Sequence, residues 1–184
     1  MTDSGKNDPL PVKSREGAER SARELIASLA SQYGLQVDGK TVSKEFFECF
    51  GENHEHANDG RFDLSYAVRA KLHGDEHGKA LRPMRKKLEA EGYKVSGYRE
   101  EPSQALMDAK GGSDNFFVSV ETFGRGNALV FSVETPCFLP PGVKQEQVSA
   151  PVPAQKSNPI APAAPSLAAG PITSTTRFPD NPFG

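Results

Sequence analysis

Apolar and polar positions change period several times along the chain, and each change marks an element. Ala18, Ala22, Leu25, Ile26, Leu29 and Tyr33 recur at spacings of three and four. That is one stripe of an α-helix predicted over Ser14 to Tyr33, with Gly34 as its C-terminal stop. Gln36 to Lys40 holds an Asp-Gly turn signal, and Thr41 to Phe50 is rich in β-branched and aromatic residues. With Phe47 and Cys49 on one side and Phe46 and Phe50 on the other, it reads as a strand. The polar, glycine-bounded run 51–60 is a loop that closes in an Asn-Asp-Gly turn.

The clearest strand follows, where Phe62, Leu64, Tyr66, Val68, Ala70 and Leu72 alternate with Asp63, Ser65, Ala67, Arg69 and Lys71. Period two with one apolar set means one buried face and one wet face. From Asp75 to Glu91 the period returns to that of a helix, with Leu81, Met84 and Leu88 on its stripe and Gly92 as its stop. Pro83 costs about 3 kcal/mol in a true helix interior, so the helix is expected to kink there or to begin shortly before it. Gly92-Tyr93-Lys94-Val95 leads into a short strand through Arg99. Glu100 to Asp114 reads as an irregular connection with a helical turn at Ser103 to Asp108 and a Gly111-Gly112 break. The pattern ends in a hairpin, Phe116 to Thr122 and Ala128 to Glu134, joined by Gly124-Arg125-Gly126-Asn127. The expected fold is α+β, an antiparallel sheet of about five strands carrying two helices on one face, in the order α-β-β-α-β-β-β.

Composition sets the boundaries. Ten of the 15 prolines among the 184 residues fall at or after Pro140, and the stretch 140–184 holds only five charged residues, Lys144, Glu146, Lys156, Arg177 and Asp180. Such a segment buries too little apolar area to offset its ordering entropy, so residues 139–184 are expected to form a disordered Pro/Ala-rich tail, with residues 1–13 as a shorter disordered flank. The folded part is then 14–138, with 17 basic and 20 acidic residues. A balance this even carries no electrostatic footprint for nucleic acid. Arg82, Arg85, Lys86 and Lys87 form the one basic cluster, read as a solvated helix face. No apolar run approaches the ~20 residues of a membrane span.

The stretch after Met1 is polar, with no secretory leader. It leaves two expectations: a cytoplasmic protein, or an exported one whose leader is not part of this chain. Cys49 and Cys137 stand 88 positions apart at opposite ends of the predicted sheet. Their spacing alone leaves open a disulfide, two buried thiols or a reactive thiol, and no CxxC or His-Cys cluster points to metal or redox chemistry.

A helix before Phe46-Phe47-Glu48-Cys49, the alternating strand Phe62 to Leu72, Leu81 and Leu88 leading to Glu91-Gly92-Tyr93-Lys94-Val95, and a hairpin ending Thr135-Pro136-Cys137 form a loose pattern over residues 14–138. In this the chain resembles small uncharacterised lipoprotein-like and exported proteins of actinobacteria. The resemblance implies a structural bridge between Cys49 and Cys137 and export. It implies no catalytic residue. Those proteins carry a leader and a lipidated cysteine ahead of this region, and this chain has neither, so the resemblance also implies a soluble piece.

Chemistry-bearing residues are sparse. His54 and His56 lie in the polar loop and His73 and His77 flank Gly74-Asp75-Glu76. The strand between the two groups spans roughly 35 Å at ~3.3 Å per residue, so each group stands alone, and neither is expected to hold a metal. Asp75 and Glu76 read instead as acidic residues at a helix N-terminus. No G-x-S-x-G or P-loop is present. The tail's Asn181-Pro182-Phe183 resembles a docking peptide of endocytic adaptors but reads more simply as spacer.

The expectation is a non-enzymatic, extracytoplasmic binding or interaction module with no cofactor, a protein partner and an undetermined oligomeric state. Its candidate face is the wet side of the sheet, with Arg61, Asp63, Ser65, Arg69 and Lys71. Two alternatives are a cytosolic accessory protein working through its tail, and a small metal-dependent enzyme using His54, His56, His73 or His77.

Overall fold

The computed structural model describes residues 8–50, 56–102, 104–124 and 127–147. Helix α1 spans Arg15–Ser31, with the Ser14 side chain accepting the Gly17 N–H at 3.0 Å as its N-cap. Strands β1 (Val37–Glu48) and β2 (Phe62–Lys71) follow, then a 3-10 turn at Gly74–Glu76 that runs into α2 (His77–Ala90). Strands β3 (Tyr93–Arg99), β4 (Leu106–Gly111), β5 (Phe116–Phe123) and β6 (Ala128–Glu134) complete the order.

All six strands form one sheet in the spatial order β1-β2-β6-β5-β4-β3, every neighbour antiparallel. The last four strands are a meander whose final strand docks against β2, and α2 carries the chain from β2 across to the far edge at β3. Both helices lie on one face, α1 against β1, β2 and β6 and α2 against β3 and β4. The core between the layers is the period-3.6 stripe of α1 and α2 (Ala22, Ile26, Leu29, Leu81, Met84, Leu88) meeting the period-2 residues of the strands (Leu64, Val68, Met107, Val120, Phe131). The α+β reading is therefore what the chain forms, with six strands.

Four local expectations are corrected. The Asp-Gly signal lies inside β1, where the register slips between Asp38 and Ser43. Asp38 receives the Lys40 N–H on its side chain and the Thr41 hydroxyl on its carbonyl, so a turn-forming pair makes a bulge. At its other end β1 stops at Glu48, short of Phe50. The segment read as irregular with a helical turn at Ser103 to Asp108 contains β4. Leu106, Met107 and Ala109 are helix formers by propensity, and pairing with β3 on one side and β5 on the other overrides it. Helix α2 starts at His77 with Pro83 inside it, so a start shortly before the proline is excluded, and burial of Leu81, Met84 and Leu88 offsets the cost.

The ends of the domain reach further than composition suggested. Val12 bridges Leu139 in parallel and Phe138 bridges Phe62 antiparallel, with Phe138 and Leu139 buried. Leu10 N–H donates to Gln145 Oε1 at 2.8 Å, and Gln145 Nε2 returns to the Asp8 carbonyl at 2.8 Å. Residues 8–13 and 139–147, expected outside the domain, thus clasp one another along its end. The rest of the expected flank and tail, including Asn181-Pro182-Phe183, lies outside the described residues, as do His54 and the Arg125-Gly126 part of the β5–β6 turn.

Candidate interaction surface

The face of the sheet opposite the helices is built by register. Counting across from β1 to β3, paired residues form rows. One row is Glu45, Ser65, Glu134, Phe117, Lys110 and Lys94. The next is Ser43, Ala67, Ser132, Ser119, Asp108 and Gly97. The third is Asp38, Arg69, Val130, Glu121, Leu106 and Arg99. The middle row has no side chain larger than aspartate, so it forms a shallow trough between two taller rows. Phe117, Leu106 and Val130 are half-buried beside it, while Phe47 and Phe123 are 45% and 42% exposed. The Arg69 guanidinium stacks 3.7 Å from the Phe123 ring centroid, which keeps that arginine flat on the face.

Four of the five residues expected on this face lie there: Asp63 and Ser65 half-buried, Arg69 and Lys71 exposed. Arg61 does not. It precedes β2, is 6% exposed, and closes on Asp59 with Nε and Nη2 on the two carboxylate oxygens. Asp59 sits in the expected Asn-Asp-Gly turn and also accepts the Arg61 and Glu146 N–H groups, while Arg61 Nη2 donates to the Glu146 carbonyl at 2.8 Å. The Arg61 hydrogen bonds hold the Asp59 carboxyl at about 2. Alternation alone placed Arg61 outward; the turn beside it supplied a buried partner.

Cys49 and Cys137 are joined, with Cα atoms 6.1 Å apart, at the corner of the face where β1 ends and the chain leaves β6. The Asp63 carboxylate lies 3.8 Å from Cys49 Sγ, and among the described residues Cys49, Cys137 and Asp63 alone bring three such ligand-type atoms together. With both sulfurs bonded to each other the group is a bridge beside an acid. Half-burial, and secondarily Glu134, push the Asp63 carboxyl above its ordinary value.

The histidines go separate ways. His56 packs edge-on against Phe50 and exposed His73 pairs with Asp75 at 2.8 Å. His77 is fully buried, its Nδ1 2.9 Å from Thr122 Oγ1 and its Nε2 3.0 Å from the Leu72 carbonyl. The Leu72 carbonyl can only accept, so Nε2–H donates to it, and in the neutral ring Nδ1 then accepts from the Thr122 hydroxyl, whose oxygen also accepts the Ala105 N–H. His77 is a structural link between α2, β2 and β5, a role that i, i+4 spacing with His73 could not reveal.

Among the described helices none is long and apolar enough to cross a membrane. Compared with protein families, curated proteins and solved structures, the chain matches none.

Proposed function

We propose that this chain is a non-enzymatic, extracytoplasmic module that binds a protein partner across its open sheet face. The observation that carries the reading is the make-up of that face. An open antiparallel sheet kept only soluble would present long charged and threonine side chains. Here Phe117, Leu106 and Val130 border a trough whose one charged residue is Asp108, Phe47 and Phe123 stand exposed one row further out, and the other charged groups lie in the flanking rows and at the edges, the layout of a contact zone with a polar rim. The disulfide supports the extracytoplasmic location, because such bridges persist in oxidising compartments.

Photo-crosslinking tests the surface. A photoreactive residue at Ser132, in the trough, is expected to capture a protein in the native host, while one at Lys86 on exposed α2 is not. Equal capture from both positions, or none from Ser132, overturns the reading. For the location, alkylation of unfolded protein from that host is expected to add two groups only after reduction; two groups added without reduction would place the chain in a reducing compartment.

A further inference from the structure

We infer that the partner is a second copy of this chain, the two open faces packing into a sandwich about a two-fold axis that runs parallel to the strands between β5 and β6. The inference rests on the reading of the open face as a protein-binding surface and names its occupant.

The pairing register makes the face self-complementary under that one operation. The axis exchanges β1 with β3, β2 with β4 and β6 with β5. It therefore sets each residue of a row over the residue at the mirror position of the same row in the other copy. In the first row Glu45 meets Lys94 of the second copy, and in the third row Asp38 meets Arg99, each contact made twice by symmetry. Among the described residues no ion pair is formed by Asp38, Glu45, Lys94 or Arg99 within one copy, and Glu45, Lys94 and Arg99 are exposed. Along the centre the trough falls on itself, Ser132 over Ser119 and Ala67 over Asp108, and Val130 covers the aliphatic part of Glu121. Small residues there allow two sheets to approach the ~10 Å spacing of a sandwich.

The other two-fold that would bring the faces together runs across the strands and sets β1 over β1 and β3 over β3. It would place Glu45 against Asp38 and Lys94 against Arg99, like against like at both edges. Charge alone selects the first arrangement.

Area agrees. Six strands at ~4.8 Å spacing and about seven residues of ~3.4 Å give roughly 700 Å² a side. Both copies together bury about 1,400 Å², within the ~1,200–2,000 Å² of stable specific interfaces. Phe117 lies over Glu134, Leu106 over Arg69 and Val130 over Glu121, so each apolar side chain covers the aliphatic part of a charged one, and the helices stay on the outside of both layers.

Sedimentation equilibrium of the full chain, oxidised, tests this. The expected result is twice the chain mass at micromolar concentration, weakening as salt is raised. Glu45→Lys should raise the dimer dissociation constant at least about tenfold, as should Lys94→Glu, while the double variant returns to within about threefold of the parent. Both positions are exposed, and far-UV circular dichroism checks that the variants stay folded. A chain mass that stays monomeric up to ~1 mM overturns the inference. So does a dimer indifferent to both charge reversals, which would be pairing through a sheet edge. If the Ser132 crosslink joins a different protein, the interaction reading stands and the second copy falls; if it joins nothing, both fall.

Discussion

Asp59 and Asp63, four positions apart in sequence, respond oppositely to their surroundings. Asp59 is held at about 2, below its ordinary 3.8, chiefly by the Arg61 hydrogen bonds. A depressed folded-state value means that the unfolded chain takes up the proton first as pH falls. The stability Asp59 contributes is thus complete above about pH 4 and lost as pH falls through about 2. In urea unfolding, Asp59→Asn should lower stability at pH 7 and flatten the loss between pH 4 and pH 2. Arg61→Ala, which strands a buried carboxylate, should cost about 3–5 kcal/mol. Asp63 behaves in reverse. Its carboxyl is pushed up by half-burial and by Glu134, so its charge opposes folding at neutral pH. Asp63→Asn should therefore stabilise the domain by less than about 1 kcal/mol at pH 7, and the gain should vanish in acid. Gly78 is a third position whose role only packing shows. A Cβ there would collide with the Glu100 backbone carbonyl, so Gly78→Ala should lower the thermal midpoint, at a cost of about 1–3 kcal/mol from overpacking.

At the scale of elements, strong periodicity was legible and weak periodicity was not. The stripe of α1 and the alternation of β2 each bury a face that the sequence marks unambiguously. Strand β4 has the same alternation, with Met107 and Ala109 buried, but its residues are small or flexible and favour helix locally, so its state waits on β3 and β5. Helix α2 shows the opposite case, since burial of Leu81, Met84 and Leu88 carries it through Pro83. Replacing that proline restores one backbone donor on a half-exposed flank. Pro83→Ala should raise the urea midpoint by a stabilisation of up to about 3 kcal/mol, and an unchanged or lower midpoint would mean that the ring packs favourably where it stands. The candidate face was partly legible too. Asp63, Ser65, Arg69 and Lys71 follow from alternation within β2, whereas Arg61 lies one residue before the strand, where alternation no longer governs direction.

For the whole molecule, the bridge from Cys49 to Cys137 ties the end of β1 to the exit of β6 across 88 positions. In the chain-entropy model a loop of that length is worth about 4–5 kcal/mol, so reduction should lower the unfolding free energy by up to that amount without removing the sheet's circular dichroism. The clasp of residues 8–13 with 138–147 adds to the same end of the domain, with Lys13 Nζ lying over the Phe116 and Phe138 rings and paired to Asp114 at 2.7 Å. The fold class, both helices and the core face of β2 were legible in the sequence, because each depends on a period carried within one segment. Strand order, the burial of Arg61, the cysteine pairing as a contact and the rows of charge across the open face emerge only on folding. Those depend on which distant segments lie side by side. Register between strands brings Glu45, Glu134, Lys110 and Lys94 into one line, and no local pattern encodes it.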